Sequence, residues 1–583
     1  MGLEKWGRVY STDVLVIGGG LAGAFAAIKA REKGAQVLVV DKAKAGKSGC
    51  SAFAAGVLNM CFPYQDDLDA WREDALEQGC FLNDQEWLEV MLKETFECIQ
   101  EMDAWGVAFE KTPEGQYERR HMRGSVPGRP VKAVMFHGPQ MMEAMAEKAV
   151  QSGVKVVNRA MVVDLLVDEG QTLGAVGFDV WTGKFLIFLA KATVVAAGGT
   201  AYKGLFANHK MQSGDSSAML YRAGAVMSGM DICSHHASAA PFDILGMNMF
   251  VSLGGRFVNA RGERFLPHYD PVLHDHTLAR TYAQAMALEV MAGRGPIYMD
   301  LTHFRPEDVA KLRRVLPLIM KNLGAAGVVK GDRIVKKMEY VASCQGTIGG
   351  GGGVRIDLQC KTNLPGLYAV GDAAHRRAGG TGSMGMGALA FAAVSGARAG
   401  QSAGAHSRET ELPQVNEARI AQAKDDTLAP LARKEGVEPD QVVLALQETI
   451  IKKEVFVITN QEALKRALAE VNYLAEYEVP QLMAYDGHYL RMAHEAKNMA
   501  LTAQLWLRSA LQRKESRGGM LRQDFPNTDN VNGLHWVLIK QKDGQPAIEV
   551  EDIPFDKYRF KPKKEVFLAP MWQKANERGI KWA

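Results

Sequence analysis

The pattern of hydrophobic and polar positions at the start of the chain predicts a strand, a helix and a second strand. Residues 13–17 (DVLVI) form a short apolar run with the length of a buried strand. The glycine-rich segment GGGLAG follows at 18–23 and leads into a stretch with helical character. A second apolar run at 36–40 (QVLVV) ends on Asp41. This order of segments predicts a βαβ unit at the N-terminus.

Later segments of the chain differ in their periodicity. Residues 66–110 have helical spacing, and residues 154–199 are rich in strand patterns that predict an antiparallel meander returning to the main sheet. From 225 to 345 many Met, His and Phe residues appear among scattered turns, which indicates an inserted domain. Residues 410–515 are strongly helical, and short strands are predicted after 535.

Gly18, Gly20 and Gly23 form the pattern G-x-G-x-x-G between the first strand and the helix. In such a turn the first glycine permits the bend, the second lets the backbone approach a pyrophosphate, and the third lets the helix pack on the strand. The helix N-terminus then faces the phosphates with free N–H groups. Asp41 ends the second strand, where a carboxylate accepts hydrogen bonds from an adenosine ribose. The unit is therefore predicted to bind a dinucleotide.

Two further strand-to-glycine turns distinguish FAD from NAD. They are TVVAAGG at 193–199 and GLYAVGDAA at 366–374. The second contains Gly371 and Asp372, and an acid at this turn suits the ribityl chain and pyrophosphate region of a flavin. A domain that binds only NAD has no use for three such turns, so the predicted cofactor is FAD.

Composition and charge narrow the class of protein. The 69 Lys and Arg residues nearly balance the 66 Asp and Glu residues, and no long basic block suggests a nucleic-acid partner. The seven cysteines contain no C-x-x-C pair, which argues against an iron–sulfur cluster or structural zinc in this chain. A cytoplasmic location is predicted, because the thiols are expected to be reduced and the N-terminus is unlike a signal peptide. The chain also lacks a long apolar run, so no direct membrane insertion is predicted and any membrane contact would be made through partners.

Several motifs together resemble the flavoprotein subunits of succinate dehydrogenase and fumarate reductase, with L-aspartate oxidase and the adenylylsulfate reductase alpha subunit. The resemblance covers almost the whole chain. It rests on GGGLAG with Asp41-Lys42, on AAGG, and on five longer segments: KSGCSAFAAGV at 47–57, SGDSSAMLYRAGA at 213–225, GGRFVNARGERF at 254–265, LPGLYAVGDAA at 364–374 and ESRGGMLRQDFPNTD at 515–529.

The resemblance implies an α/β fold in which a Rossmann-like FAD-binding domain carries an inserted α+β capping domain, followed by a helical domain and a C-terminal extension. The substrate is then expected between the first two domains, against flavin N5, with water excluded by closure. The predicted boundaries are 1–225 and 346–408 for the two parts of the FAD-binding domain, 226–345 for the capping domain, 409–534 for the helical domain and 535–583 for the extension.

The segment that carries a covalently bound flavin in many relatives is changed. Those proteins use a histidine in an R-S-H-T-like stretch, whereas this chain has Lys47-Ser48-Gly49-Cys50. FAD is therefore predicted to bind non-covalently. The Ser48-Gly49 pair makes this segment more similar to that of adenylylsulfate reductase. For Cys50, a covalent link to the flavin is less favoured than a packed thiol.

Three of four positions that the family uses for dicarboxylates also differ. The resemblance places Val251 at the proton-donor arginine, Gln345 at a substrate histidine and Ser383 at the clamp arginine, while His236 retains a substrate histidine. Guanidinium groups are what stabilise a dianion in a desolvated pocket. Succinate and fumarate are therefore predicted to be poor substrates, and the chain is not a typical succinate dehydrogenase.

Other residues are candidates for chemistry, each with a structural alternative. His235 or His236 can donate a proton or polarise a carbonyl, or can simply bond to backbone. Cys344 is expected beside the flavin with Gln345, as a proton donor, nucleophile or inert thiol. Arg376 can supply anion-binding charge or lie on a solvated loop. The predicted FAD-binding residues are Gly18, Gly20, Leu21, Ala22, Gly23, Asp41, Lys42, Ser48, Gly49, Cys50, Ala55, Gly56, Val162, Ala197, Gly198, Asp215, Gly371, Asp372, Ser383, Ala388 and Leu389.

The predicted function is that of an FAD-dependent oxidoreductase, the catalytic flavoprotein subunit of a redox complex. It is expected to exchange electrons between a small substrate and an iron–sulfur, ferredoxin-like partner, because the chain has no cluster motif of its own. The alternatives are an electron-transfer flavoprotein subunit without its own substrate, or an enzyme similar to adenylylsulfate reductase or fumarate reductase.

Overall fold

The computed structural model describes residues 2–54, 56–59, 61–121, 132–204, 209–232, 235–240, 247–344, 352–382, 386–451 and 453–582. The strands of the first part of the chain are β1 (Arg8–Ile17), β2 (Val37–Asp41), β3 (Val57–Asn59), β4 (Arg119–His121), β5 (Lys132–Met135), β6 (Lys155–Asn158), β7 (Ala160–Asp168), β8 (Gln171–Asp179) and β9 (Phe185–Val195). Its helices are α1 (Leu21–Glu32), α2 (Gly49–Ala52), α3 (Leu68–Gln78), α4 (Gln85–Ala104), α5 (Gly138–Gln151) and α6 (Asp215–Arg222).

A seven-stranded sheet organises this part, in the order β6-β2-β1-β9-β8-β7, with β18 (Leu367–Ala369) beside β9. The pairs β1–β2, β1–β9, β2–β6 and β9–β18 are parallel, and β7, β8 and β9 form an antiparallel meander. The second half of β1 and most of β2 are fully buried, as their continuous apolar runs predict. The predicted α/β class, the βαβ unit and the meander are confirmed.

The small-residue helix after the third glycine turn is α12 (Ala388–Glu409), which follows β17 (Gly353–Val354) and β18 and packs along α1. A β-carbon at Gly396 would lie 2.4 Å from the carbonyl oxygen of Ala22, and one at Gly400 would lie 2.4 Å from that of Ala26. Glycine at these positions therefore allows the two parallel helices to approach closely. Both helices begin on the side of the sheet where the glycine turns lie.

The inserted segment packs around a second hydrophobic core, which it shares with the helical region and the C-terminal extension. Its strands are β10 (Met227–Ser228), β11 (His235–Ala239), β12 (Arg256–Val258), β13 (Ile297–Asp300), β14 (Val329–Lys330), β15 (Arg333–Ile334) and β16 (Met338–Cys344); its helices are α7 (Met247–Ser252), α8 (Leu266–Tyr269), α9 (Ala279–Met291), α10 (Pro306–Val315) and α11 (Pro317–Ala325). Strands β11-β16-β13-β12 make an antiparallel sheet. Three aromatic rings pack together in this core: the ring centroid of Phe257 lies 5.7 Å from that of Tyr282 and 5.6 Å from that of Tyr340.

The helical region contains α13 (Glu417–Ala432), α14 (Pro439–Ile450), α15 (Lys453–Phe456), α16 (Gln461–Tyr473) and α17 (Gly487–Gln512), with the short strands β19 (Ile458–Thr459), β20 (Leu521–Arg522) and β21 (Asn527–Asp529). Helix α17 packs on α14 and α16 and also reaches α6 of the FAD-binding part. No helix in the described ranges is both long enough and apolar enough to cross a bilayer.

The aromatic-rich C-terminal extension packs on its own chain. It contains β22 (His535–Lys542), β23 (Gln545–Asp552), β24 (Val566–Leu568) and α18 (Pro570–Glu577). Strand β22 pairs with β10, and β24 pairs with β21. Arg578 forms ion pairs with Glu263 and Glu289 of the inserted segment. Trp536, Tyr558 and Trp572 of the extension are buried within the chain.

Candidate active site

A cavity lies at the carboxyl ends of the parallel strands, the edge at which open α/β sheets bind ligands. Ile17 ends β1, Asp41 ends β2, Ala196 follows β9 and Val370 follows β18, and all four residues line the cavity. The three predicted glycine turns therefore meet at one place, although they are separated by more than 300 residues of sequence.

The glycines of the first turn are required for different reasons. Gly18 has a φ of +109°, and a β-carbon there would lie 2.4 Å from the carbonyl oxygen of Ala196. A β-carbon at Gly23 would lie 2.0 Å from the carbonyl oxygen of Gly18, so this glycine allows helix-to-turn packing. At Gly20 the nearest atom to a β-carbon would be Ser51 Oγ at 3.4 Å, an ordinary contact. Because Gly20 lines the cavity, its lack of a side chain leaves room for a ligand.

Asp41 organises the turn as well as the cavity wall. Its Oδ2 accepts a hydrogen bond of 2.9 Å from the Gly19 N–H, and its Oδ1 accepts one of 2.8 Å from the Ala43 N–H. Ser48 Oγ lies 3.3 Å from the same Oδ1. A carboxylate has about four acceptor sites, so Asp41 retains capacity for a ligand hydroxyl while it holds the backbone of the turn.

Lys42 lines the cavity, but its ammonium group is directed into the protein. Nζ donates to Ser213 Oγ at 3.0 Å, to Asp215 Oδ2 at 2.7 Å and to Glu495 Oε1 at 2.9 Å. These contacts use the three N–H bonds of an ammonium. Burial by itself would lower the pKa of Lys42, but the Asp215 and Glu495 carboxylates raise it above its usual value. Lys42 is therefore charged, and its ammonium group is fully engaged in contacts within the protein.

Glu495, on α17, joins this site to the helical region. Its carboxylate is almost fully buried and also pairs with Lys203 and Arg491, each at 2.7 Å. Burial opposes ionisation, but Lys42, Lys203 and Arg491 together hold the pKa of Glu495 well below its ordinary value. One buried anion thus connects three cations from three parts of the chain.

Gln212 forms a polar part of the cavity wall. Its Nε2 contacts Cys50 Sγ at 2.6 Å, and its side chain lies beside Gly198. Its Oε1 is buried and has no hydrogen-bond partner among the described residues. Cys50 and Gly198 also line the cavity, so the second glycine turn and α2 meet at this glutamine.

The third glycine turn closes the cavity from the side of α12. The Gly371 N–H donates to Ser395 Oγ at 3.0 Å, and Gly371 has a φ of +58°. Burial raises the pKa of the Asp372 carboxyl, and the Arg376 guanidinium opposes this rise. Ala388 and Leu389, at the start of α12, complete this wall.

Most of the predicted FAD-binding residues line this one cavity. Gly23 and Gly56 have packing roles instead; a β-carbon at Gly56 would lie 2.2 Å from the carbonyl oxygen of Phe136. Ala55 and Ser383 lie outside the described residues. The predicted residues that line the cavity are Gly18, Gly20, Leu21, Ala22, Asp41, Lys42, Ser48, Gly49, Cys50, Val162, Ala197, Gly198, Asp215, Gly371, Asp372, Ala388 and Leu389.

Sequence reasoning missed several lining residues, among them Met211, Gln212 and Met219. The motif SGDSSAMLYRAGA begins at 213, directly after Gln212, and marks the segment without indicating which side chains face inward. A single amide or thioether has no sequence pattern of its own.

The catalytic candidates lie in the inserted segment and on the loop after the third turn. His235 and Cys344 are directly opposite each other on β11 and β16. His235 donates from Nε2 to the carbonyl oxygen of Gly519, and burial lowers its pKa to about 4, so it is neutral at physiological pH. His236 Nδ1 lies 3.0 Å from the carbonyl oxygen of Ala237. Gln345 lies outside the described residues.

Arg376 is buried, and it is near Asp372 rather than among the described residues that line the cavity. Neighbouring Arg377 donates to Ser228 Oγ at 3.0 Å and pairs with Glu551 at 2.7 Å. Arg376, a candidate for anion binding in the sequence, is thus buried close to the third turn and acts on Asp372 electrostatically.

These features fit FAD. The cavity combines a glycine turn with room for a pyrophosphate, a carboxylate at the end of β2, and a buried amide oxygen that needs a donor. The fold and the cavity therefore define an FAD-binding oxidoreductase, as the sequence predicted.

Comparisons with known proteins agree. A family model described as "FAD binding domain" matches residues 13–388, and one described as "Fumarate reductase flavoprotein C-term" matches residues 444–567. The chain belongs to the succinate dehydrogenase/fumarate reductase flavoprotein family. One of the subunits of the fumarate reductase (CoM/CoB) of Methanothermobacter marburgensis is 28% identical over 542 residues, which cover 89% of this chain and 96% of the relative.

Solved structures show the same fold. A variant of the E. coli quinol fumarate reductase FrdA superposes with a TM-score of 0.84 at 22% identity, covering 96% of this chain and 99% of that one. Adenylylsulfate reductase from Archaeoglobus fulgidus gives 0.72 at 21% identity, covering 94% and 96%. The family resemblance, the enzyme class and the FAD cofactor are confirmed.

Proposed function

We propose that this chain is the catalytic flavoprotein subunit of a multi-subunit redox enzyme, with a small substrate that is not a simple dicarboxylate and an iron–sulfur partner. The contacts of the inserted segment with the FAD-binding part and with the 515–529 motif carry the proposal. Arg280, on α9, donates to the carbonyl oxygen of Gln78 and to Thr381 Oγ1 at 3.1 Å. Gln284, one turn later, donates to the carbonyl oxygens of Gly518 and Gly519, each at 2.9 Å. A pure electron relay does not require such a closing domain.

FAD, when bound, supplies two-electron chemistry with a substrate, and the residues of this chain hold the reactants and exclude water. Arg280 brings a guanidinium from the capping domain to Thr381, two residues before Ser383, where the family has its clamp arginine. Val251, at the position assigned to the donor arginine, is a buried apolar residue of the capping-domain core. The charge that this site offers a substrate therefore differs from that expected for a dicarboxylate enzyme.

Activity with fumarate and succinate tests the substrate class. Under anaerobic conditions the FAD-loaded chain should reduce fumarate with a reduced viologen, and oxidise succinate with an artificial acceptor, far more slowly than a typical enzyme rate of about ten per second. As a control, dithionite must reduce the flavin and the acceptor must reoxidise it. Turnover of fumarate at the typical rate would refute this substrate assignment. Adenylylsulfate belongs in the same screen, because the 47–50 segment resembles that reductase.

The iron–sulfur partner is inferred from what the chain lacks. Its seven cysteines contain no C-x-x-C pair, and the described residues contain no group of three or more metal-ligating side chains. A two-electron flavin step must nevertheless be joined to one-electron carriers. The methanogen relative is named as one subunit of its enzyme, which supports an assembly of several chains. Anaerobic isolation from the native host should recover an iron–sulfur protein with the chain; recovery of the chain alone, with full turnover using oxygen, would contradict the proposal.

The second candidate is an electron-transfer subunit without its own substrate, favoured by the changes at Val251, Gln345 and Ser383. Measuring flavin reoxidation by a series of acceptors, with and without the iron–sulfur partner, distinguishes this electron-transfer subunit from a catalytic subunit. An enzyme shows a specific small acceptor or donor that reacts at the flavin in the absence of the partner, whereas a relay exchanges electrons with the partner alone.

A further inference from the structure

Gln212 is a polar side chain of the cavity that none of the sequence motifs marks. We propose that Gln212 binds FAD directly: its Oε1 accepts a hydrogen bond from an N–H or O–H group of the cofactor, while the contact of its Nε2 with Cys50 fixes the orientation of the amide. This assignment is independent of the substrate and of the partner subunit.

The first argument is the state of the amide oxygen. Gln212 is 7% exposed and lines the cavity, and Oε1 is buried without a partner among the described residues. A buried acceptor without a donor is unfavourable, and native proteins satisfy nearly all such groups. FAD offers several donors: the ribityl and ribose hydroxyls, the adenine amino group and flavin N3–H.

The second argument is that the amide is held in place from several sides. The backbone carbonyl of Gln212 accepts hydrogen bonds from the Ala201 and Lys203 N–H groups, both at 3.3 Å. Its Nε2 contacts Cys50 Sγ at 2.6 Å. Gly198 lies beside the amide, and a β-carbon there would be in ordinary contact with Nε2, at 3.8 Å. With the backbone and Nε2 held in this way, the amide keeps its place in the cavity wall.

The test compares Q212L with wild type in FAD affinity and in melting temperature, each with and without cofactor. Leucine keeps the size and removes the acceptor, so FAD should bind about tenfold more weakly. The apoprotein should melt no lower than wild type, because an unsatisfied buried amide has been removed, whereas the FAD-loaded protein should melt lower. Q422L is the matched control, since it makes the same substitution at an exposed glutamine of α13 that does not line the cavity, and it should bind FAD within twofold of wild type.

Wild-type affinity in Q212L, or an equal loss of melting temperature in its apo and loaded forms, would overturn the assignment. Q212M provides the same comparison if the leucine variant does not fold. A second readout is alkylation of Cys50 in the full-length apoprotein, followed by peptide mass spectrometry. FAD should shield Cys50 in wild type, and about tenfold more FAD should be needed in Q212L. Equal alkylation of wild type with and without FAD would contradict the proposed contact.

Discussion

Replacing Glu495 with Gln tests the buried charge cluster beside the FAD cavity. The change preserves shape but removes the anion shared by Lys42, Lys203 and Arg491. Removing one partner of a buried ion pair typically costs 3–5 kcal/mol. We expect a loss of about 3 kcal/mol, at the lower end of that range, because Lys42 keeps Asp215 and the side chains of Lys203 and Arg491 are partly exposed.

The assay is calorimetric melting of the apo and FAD-loaded chain. For a cooperative unit of about 200 residues, the expected loss lowers the melting temperature by at least about 6 °C. The matched control is Glu462→Gln on α16, an exposed glutamate whose contact with Lys465 spans 3.7 Å. This control should change stability by less than about 0.5 kcal/mol. If Glu495→Gln melts like wild type, the cluster does not stabilise the fold.

The pH dependence gives an independent check of the same reasoning. The pKa of Glu495 is lower in the folded protein than in the unfolded chain, so its stabilising effect is fully present above the unfolded value of about 4.3 and is lost as the pH falls below it. The stability difference between wild type and Glu495→Gln should therefore be constant from pH 8 to pH 6 and should shrink below about pH 4. A difference that grows on acidification would refute the assignment of charge.

Three further predictions follow from single contacts. Gly20→Val should leave a folded chain that does not retain FAD, and normal flavin content in this variant would refute the placement of the pyrophosphate at Gly20. Gly23→Ala should instead lower the stability of the apoprotein itself, since its β-carbon would lie 2.0 Å from the Gly18 carbonyl oxygen. Acid or heat denaturation should release all FAD intact, because the 47–50 segment has no histidine; flavin left on the precipitate would show a covalent link. His235 has a folded pKa of about 4, below its ordinary value of 6.5, so between these pH values the unfolded state takes up the proton. As the pH falls through this range, wild type should therefore lose more stability than His235→Gln. Equal slopes of stability against pH in the two proteins would contradict this.

The sequence predicted the parts of the molecule that depend on backbone geometry. The turns at Gly18, Gly198 and Gly371 could be predicted because a buried strand that runs directly into glycine is typical of a ligand-binding turn, and all three line one cavity. The sequence could not show that the ammonium of Lys42 turns away to meet Glu495, because that contact joins positions 453 residues apart. Nor could it show that Gln212 faces inward. Long-range polar contacts depend on packing and leave no local pattern.

The C-terminal extension illustrates the same limit. Its aromatic residues do not identify, in the sequence, the surface that the segment covers. In the structure Trp572 donates from Nε1 to Ser516 Oγ at 3.1 Å and stacks on Trp582 with ring centroids 4.3 Å apart. The covered surface thus includes the 515–529 motif, which was recognised by family resemblance alone.

Electron transfer to the partner tests the proposed function most directly. The FAD-loaded chain is reduced photochemically without oxygen and mixed in a stopped-flow instrument with the oxidised iron–sulfur protein isolated beside it. The flavin should be reoxidised as the cluster absorbance bleaches, at about ten per second or faster. A flavin that stays reduced with the iron–sulfur protein, but is reoxidised by oxygen at the full turnover rate, would contradict the proposal that this chain is the flavoprotein subunit of an iron–sulfur redox complex.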